Sequence, residues 1–455
     1  MTLFIILFVS LFLCYIHYVC LKVLRVFHNE GDLFIFSFSY LFTLGSVSLQ
    51  LFFYSLFYIP WEPLSLLLPW LVLFTFLLIR KRGFFSIKLT RRKISLEGKI
   101  WIFFLVSLLL FVGIESIIRP AQAWDAWSSW LLKSKIFYFD KEIVSMFSYF
   151  PSDYPIGVSL FGTFFYTIMH RVDDRAVLIL FFLFYVFLII LFYSFVKKYV
   201  GRTNALFSTF LLASLQNVIR HGGRFEAGMA DLALAYAMLC AAVLLIRFFR
   251  SRNYKTLFLL ECAIAICGFV KYEGIVFSIV LQIIIFYLIV AMRKGRYIFL
   301  TLPWFFSTAG WALYKYIYAV PAHYIFGNGL RLERLPFVLS GMTNEFFNIK
   351  NWNLLWIVFL LAIAVYHRRI KKEALLLFLV IVCQWFIYLL VYLISPLNPR
   401  EQLPSTIDRL YLHLSPLALL SVILLAGSSF DLYRSEILRS LRRVTNHVYK
   451  TSKMQ

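Results

Sequence analysis

The chain has 455 residues, of which 62% are hydrophobic, 20% are aromatic and only 15% are charged. Soluble domains carry about 25% charged residues, so this composition excludes an ordinary soluble fold. The formal net charge is +23, and the positive residues lie in a few short connectors between apolar runs. This distribution indicates cytoplasmic loops that follow the positive-inside rule, and it argues against binding of nucleic acid.

Apolar runs of about 20 residues recur along the chain, which is the length that crosses a bilayer as a helix. Because the runs are continuous rather than alternating, they predict helices and not a membrane barrel. We therefore predict an all-α, polytopic membrane protein with about thirteen transmembrane helices. The predicted spans are 3–24, 33–58, 62–79, 100–117, 175–196, 203–219, 229–247, 256–272, 274–292, 297–319, 353–367, 374–394 and 409–427.

The segment from Arg80 to Lys99 contains eight Lys or Arg and one acidic residue, and it anchors the cytoplasmic side. Residues 156–170 are too short for a comfortable span. If they form a re-entrant or surface helix, the later basic connectors also lie in the cytoplasm. The loops left outside, in an extracellular or periplasmic space, are 118–155, 220–228, 320–352 and 395–408.

These features divide the chain into three parts. Residues 1–99 hold three additional N-terminal helices and the basic loop. Residues 100–427 form the predicted catalytic core. Residues 428–455 form a basic cytoplasmic tail, which we expect to lie on the inner membrane surface.

The first outer loop contains the sequence AWDAWSSW. Its tryptophans recur at every third residue, at Trp124, Trp127 and Trp130, which predicts an aromatic face at the membrane interface. Asp125 lies among them, where an acidic side chain is costly. It is either a cap for the loop helix or a functional acid, and we favour the functional acid.

Asp153 and Tyr154 precede Pro155 in the sequence DYPIG, which suits the first turn of a helix. Asp153 is therefore either a helix cap or a catalytic group. The next polar segment, RHGGRFEAGMADLALAY, brings Arg224, Glu226 and Asp231 to the outer end of a span. Capping alone accounts for Asp231, but not for so many charged residues at one membrane face.

Two later segments add charge at the same face. Lys271 and Glu273 interrupt an apolar stretch in KYEG, where a local ion pair is the simplest interpretation. Arg409 opens the last predicted span, and His413 lies one turn deeper on the same face. Cations here suit a phosphate, carboxylates suit proton transfer or a metal ion, and the apolar surroundings suit a lipid tail. These are the groups that a transferase with a polyprenyl-phosphate-sugar donor requires.

The order of these motifs resembles that of bacterial membrane glycosyltransferases with the GT-C fold. The similarity is to the branch of protein O-mannosyltransferases and lipid A aminoarabinose transferases, and it covers roughly residues 100–425. It rests on AWDAWSSW, DYPIG, DDRAVL with Arg175, MADLALA, KYEG and DRLYLHLSP, in that order.

The resemblance implies a role for each residue. Asp125 is the expected general base, which activates the acceptor so that it displaces the lipid phosphate from the anomeric carbon with inversion. Asp231 is the second expected catalytic acid. Lys271 and Arg409 would neutralise the leaving phosphate, with Arg119 and Arg224 as helpers. The other expected substrate-binding residues are Trp124, Asp153, Tyr154, Glu226, Glu273 and His413.

The expected partners are a polyprenyl-phosphate-sugar donor, a glycan, lipid or protein acceptor, and membrane lipids. Asp125 lacks the adjacent second acid of some branches, so we assign no metal ligand, although the resemblance leaves a divalent ion such as Mg²⁺ or Mn²⁺ open. No large C-terminal soluble domain is apparent, which argues against transfer of whole glycans to asparagine.

Two other classes remain open. One is a transporter or flippase of a lipid-linked substrate, although polar residues gathered at one face favour an enzyme. The other is a polysaccharide polymerase or ligase, for which the loop 320–352 supplies His323, Arg331, Glu333 and Arg334.

Overall fold

The computed structural model describes residues 1–27, 30–81, 94–144, 152–321 and 329–451. Within these ranges all regular secondary structure is helical, which confirms the predicted all-α class. A π-helical segment, Ala126–Trp130, precedes α5. The α-helices are α1 (Thr2–Val23), α2 (Asp32–Leu56), α3 (Pro63–Lys81), α4 (Leu96–Ile118), α5 (Leu131–Asp140), α6 (Gly157–Met169), α7 (Asp174–Val177), α8 (Ile179–Ala213), α9 (Gln216–Gly223), α10 (Asp231–Ser251), α11 (Tyr254–Val270), α12 (Tyr272–Ala291), α13 (Leu302–Ile317), α14 (Leu335–Phe346), α15 (Ile349–Trp352), α16 (Leu355–Tyr366), α17 (Lys372–Ile394) and α18 (Pro399–Thr451).

Nine helices in the described ranges are long and apolar enough to cross a membrane, so the chain is a multi-pass membrane protein. The count of thirteen stays a prediction. Four of the predicted spans do not correspond to separate helices among these nine: 203–219, 256–272, 297–319 and 353–367. The last of these is α16, whose 12 residues extend only about 18 Å, against roughly 30 Å of bilayer core.

The apolar helix from Asp174 to Ala213 has 40 residues, about twice the length that one crossing needs. Gly201 interrupts it with φ +78° and ψ 178°, a backbone conformation that glycine tolerates and other residues avoid. The break lies in the basic connector that the sequence places between two spans.

Helix α18 corrects the predicted outer loop 395–408, because the helix begins at Pro399 rather than at residue 409. Proline suits a helix start, where backbone N–H groups have no partner within the helix. The Oδ1 atom of Asn398 accepts a hydrogen bond from the Arg400 amide at 3.1 Å and so stabilises this start. Asp408 and Arg409 therefore lie within a helix and not at its mouth.

Helix α10 is the centre of the bundle. Its side chains are buried on almost every face, and it packs against α8, α11 and α18. A helix that is apolar all round belongs in such an interior position. The N-terminal helices also join this core, since the Tyr236 hydroxyl donates to the Ser37 carbonyl at 2.5 Å and the Tyr40 hydroxyl to the Leu180 carbonyl at 2.8 Å. The domain boundaries at residues 99 and 427 stay predictions.

Candidate functional site

Asp231 is the first residue of α10, and its side chain is completely buried. Its Oδ1 atom accepts hydrogen bonds from Lys271 Nζ at 2.7 Å and from His413 Nε2 at 3.1 Å. The helix begins after Ala230 without any side-chain cap, so the alternative of Asp231 as a cap is wrong. In the described part of the chain, Asp231 Oδ2 has no hydrogen-bond partner.

Lys271 occupies the single extended residue between α11 and α12, with φ −160° and ψ 160°. Its ammonium also contacts Glu273 Oε1 at 2.9 Å, which confirms the predicted local ion pair. Burial alone lowers the pKa of Lys271, but the carboxylates of Asp231 and Glu273 outweigh it and hold that pKa above its ordinary value. Lys271 is therefore a stable buried cation.

The tight packing of α11 against α12 depends on Gly274. A Cβ atom at this position would lie 1.9 Å from the carbonyl oxygen of Cys267. Because no real contact is that short, only glycine allows the two helices to approach so closely. This approach carries Lys271 and Glu273 to the end of α10, beside Asp231.

His413 is fully buried on α18. Its Nδ1 atom lies 3.4 Å from the hydroxyl of Tyr388 on α17, and its Nε2 atom faces Asp231. We assign the ring proton to Nε2, since that tautomer donates to the carboxylate and accepts from the tyrosine.

Arg409 lies one turn before His413 and forms an ion pair with Asp125. The Asp125 side chain is 40% exposed, whereas that of Arg409 is 14% exposed. Asp125 makes no capping hydrogen bond to the π-helical segment that follows it, so its role as a cap is wrong. Arg409 also lies within Coulombic range of Asp231 and Glu273. The structure thus brings together six of the predicted residues, which we call the ionic cluster: Asp125, Asp231, Lys271, Glu273, Arg409 and His413.

Glu226 adjoins the ionic cluster through Arg220. It accepts two hydrogen bonds from the Arg220 guanidinium, one of them from Nε at 2.8 Å. Arg220 also lies 3.8 Å from a carboxylate oxygen of Asp408, the residue before Arg409. Glu226 therefore has a guanidinium partner of its own beside the cluster.

Arg119 and Arg224 form a separate group. Both pair with Glu115 near the end of α4, and both guanidinium groups pack on the ring of Phe225, at 5.3 and 5.1 Å from its centre. No contact in the described ranges links them to the ionic cluster. Their expected role as helpers at the phosphate stays a prediction.

The three tryptophans do not share one face as predicted. The rings of Trp124 and Trp127 meet edge to face at 4.4 Å and are 68% and 43% exposed, whereas Trp130 is only 3% exposed. Trp130 turns inward because it packs against Tyr154, with ring centres 6.2 Å apart. Only Trp124 and Trp127 fit an interfacial belt.

Asp153 and Tyr154 lie beside the ionic cluster. The Tyr272 hydroxyl donates to the Asp153 carbonyl at 2.6 Å and lies 3.1 Å from its Oδ2 atom. The rings of Tyr154 and Tyr272 are 4.9 Å apart. Helix α6 begins after Ile156, so the alternative of Asp153 as its cap is wrong. Tyr272 directly follows Lys271 and so joins this group to the cluster.

Sequence reasoning missed several residues that the fold places beside the predicted ones: Lys133, Tyr272, Lys315 and Tyr388, and also Glu115, which pairs with Arg119 and Arg224 apart from the cluster. A lysine in the apolar sequence WLLKSKIF was the one available signal for Lys133. The tyrosines gave no signal, because Tyr and Phe are abundant throughout this chain.

The residues of the cluster do not fit a metal ion. In the described ranges, no three His, Cys, Asp or Glu side chains are placed so that they could hold one metal ion together. Moreover, the carboxylates of Asp125, Asp231 and Glu273 each pair with a lysine or arginine. We therefore derive no step through a metal.

The polymerase or ligase alternative rests on the loop 320–352, which is only partly described. His323 falls outside the described residues. Arg334 donates to the carbonyls of Ser395 and Leu397 at 2.8 and 3.0 Å. No described contact connects Arg331, Glu333 or Arg334 with the ionic cluster.

These features define a multi-pass, all-helical membrane protein with a buried ionic cluster at the end of its central helix. The family model of dolichyl-phosphate-mannose-protein mannosyltransferases matches residues 153–318, roughly a third of the chain. Over that stretch the chain is similar to members of this mannosyltransferase family. It includes Asp231, Lys271 and Glu273 and leaves out Asp125 and Arg409. No curated protein and no solved structure matches the chain.

Proposed function

We propose that this protein transfers a sugar from a polyprenyl-phosphate donor to a hydroxyl of a glycan, lipid or protein acceptor on the extracytoplasmic side of the membrane. The observation that carries the proposal is the ionic cluster. It contains one accessible carboxylate, Asp125, which pairs with the partly buried Arg409, and a second cation, the buried Lys271, which pairs with Asp231. A general base and two phosphate-binding cations are what this reaction needs.

Asp125 accepts the proton of the acceptor hydroxyl as its oxygen bonds to the anomeric carbon of the sugar. The bond from that carbon to the phosphate oxygen breaks, and its electron pair stays on the phosphate. Arg409 and Lys271 stabilise the negative charge that develops there. Asp231 is a positioning residue in this proposal, because its buried carboxylate orients Lys271 and His413.

The ion pair between Asp125 and Arg409 suggests how donor binding prepares the base. In the described structure Arg409 Nε has no hydrogen-bond acceptor, so the guanidinium retains a free donor. A phosphate is a strong acceptor for guanidinium N–H groups and would compete with the carboxylate of Asp125. Donor binding would then release the carboxylate of Asp125 from Arg409 at the step where it is used.

An apolar groove supports a lipid-linked donor. It has a volume of about 410 Å³ and is lined by residues of α14, α16, α17 and α18, among them Phe346, Trp385 and Tyr411. Tyr411 brings α18, the helix that also carries Arg409 and His413, into the wall of the groove. A polyprenyl chain would bury apolar surface in this groove.

The test is transfer of radiolabelled sugar from a panel of polyprenyl-phosphate donors in membranes that contain wild type or Asp125→Asn. We expect the variant to lose about 10²- to 10⁴-fold in rate, since its amide cannot accept the proton. Asp140→Asn is the matched control, because Asp140 lies exposed at the end of α5 in the same loop.

Equal rates for Asp125→Asn and wild type at equal expression would remove Asp125 as the base. Absence of transfer by wild type from every donor would instead favour the transporter alternative. Substitutions of Arg331 and Arg334 that abolish transfer while Asp125→Asn does not would favour the polymerase or ligase.

A further inference from the structure

Lys133, on α5, is a buried cation that the mechanism above does not use. Its side chain is only 1% exposed, and within the described chain its Nζ atom has no hydrogen-bond partner. The Nζ atom lies 5.7 Å from the ring centre of Trp130 and 5.6 Å from that of Tyr154. Cation–π contacts of this kind stabilise an ammonium but satisfy none of its three N–H donors. Burial lowers the pKa of Lys133 to about 7, although Asp153 opposes this effect.

Asp153 is a buried acceptor that lacks a hydrogen-bond donor. Its side chain is 5% exposed. The Tyr272 hydroxyl donates a hydrogen bond to the backbone carbonyl of Asp153 and lies near its Oδ2 atom. Among the described residues, its Oδ1 atom has no donor. Asp153 and Lys133 interact through their charges, but Lys133 Nζ and Asp153 Oδ1 are not hydrogen-bonded to each other. An ammonium that only donates and a carboxylate oxygen that only accepts are therefore buried near each other, and neither atom has a partner among the described residues.

We infer that Trp130, Lys133, Asp153, Tyr154 and Tyr272, the aromatic box, bind a hydroxyl and one face of a sugar ring. This inference rests on the proposed function. A hydroxyl is the simplest group that satisfies both deficits, since it accepts from Lys133 and donates to Asp153 at once. The electron-rich ring faces suit the C–H groups of a pyranose. A phosphate is disfavoured because Asp153 would repel it.

The aromatic box borders the ionic cluster. Tyr272 follows Lys271 in the chain, so the box begins beside this proposed phosphate-binding cation at the start of α12. Lys315 Nζ donates to the Tyr272 hydroxyl at 3.1 Å, which directs the tyrosine proton towards Asp153. Tyr154 and Tyr272 are partly exposed, whereas Lys133 Nζ and Asp153 Oδ1 are enclosed, so the two tyrosine rings would have to move to admit a ligand.

The test uses Lys133→Met, which removes the ammonium and keeps much of the volume. We expect the purified variant to be at least as heat-stable as wild type, because an unpaired buried charge has been removed. Transfer should nevertheless fall about 10- to 100-fold, the range for a lost hydrogen bond to a charged group. Lys135→Met is the matched control, since Lys135 lies on the same helix and pairs with Asp174 at 2.6 Å. We expect it to transfer at the wild-type rate.

Monodeoxy analogues of the active donor show whose hydroxyl is bound. If the bound hydroxyl belongs to the donor sugar, wild type should transfer one deoxy analogue poorly. Lys133→Met should then transfer that analogue and the parent donor at similar rates. If the bound hydroxyl belongs to the acceptor, Lys133→Met should distinguish the donor analogues as wild type does, but it should transfer sugar more slowly at saturating donor. Asp153→Asn should give the same pattern as Lys133→Met.

Two results would overturn the aromatic box as a sugar site. One is transfer by a stable Lys133→Met variant at the wild-type rate with every donor. The other is a loss of activity that a fall in heat stability fully accounts for in both variants. Absence of any transfer by wild type is a different outcome, because it refutes the proposed function and this inference with it.

Discussion

Replacing Lys271 with methionine tests whether the ionic cluster is one interdependent unit. In wild type the Lys271 ammonium lies 2.7 Å from Asp231 and 2.9 Å from Glu273, and its side chain is 6% exposed. Lys271→Met leaves the completely buried Asp231 with His413 as its remaining hydrogen-bond partner. Breaking a buried ion pair from one side costs about 3–5 kcal/mol, because the other charge stays buried. We therefore expect the free energy of unfolding to fall by roughly that amount.

A double variant distinguishes the cost of leaving Asp231 unpaired from the effect of losing the Lys271 charge itself. In Lys271→Met with Asp231→Asn, the asparagine still accepts from His413, and no uncompensated carboxylate remains at position 231. We expect this double variant to recover most of the lost stability. It should still transfer sugar more slowly than wild type, since one of the two cations for the leaving phosphate is absent.

The assay is denaturant titration of the purified proteins in detergent, followed by tryptophan fluorescence. Lys135→Met is the control, because the pair between Lys135 and Asp174 is 29% exposed on both sides and is worth about 1 kcal/mol or less. The reasoning is refuted if Lys271→Met costs no more than this control, or if the double variant is as unstable as the single one.

Three further outcomes follow from the structure. Gly274→Ala should separate α11 from α12 and abolish transfer, because its Cβ would meet the Cys267 carbonyl at 1.9 Å; Gly310→Ala, which meets nothing within 4 Å, should leave transfer unchanged. The stability of wild type relative to Lys133→Met should rise with pH between about 7 and 10.5, because folded Lys133 binds its proton more weakly than the unfolded chain does. This rise amounts to roughly 5 kcal/mol in thermal unfolding of the two proteins measured across that range. Arg409→Lys should lower transfer by at least about tenfold, because lysine lacks the planar fork that binds phosphate; an unchanged rate would show that charge alone suffices.

Much of the candidate site was visible in the sequence. Charged residues in an apolar chain stand out because their burial is costly, and this singled out Asp125, Asp231, Lys271, Arg409 and His413. The sequence left a helix cap open as an alternative at Asp125, Asp153 and Asp231, and the structure shows no capping hydrogen bond from any of the three. A cap and a tertiary ion pair leave the same local signal, an acidic residue near a helix start, so the sequence alone does not distinguish them.

The sequence by itself determined the helical membrane class, because hydropathy over about 20 residues is a local property. The tertiary structure alone decided which charges are partners. Asp231 meets Lys271 and His413 at separations of 40 and 182 residues, and Asp125 meets Arg409 across 284 residues. The packing of α10, α11, α12 and α18 makes these contacts, and no local pattern encodes them. A buried charge requires a partner, but only the assembled bundle determines which residue that partner is.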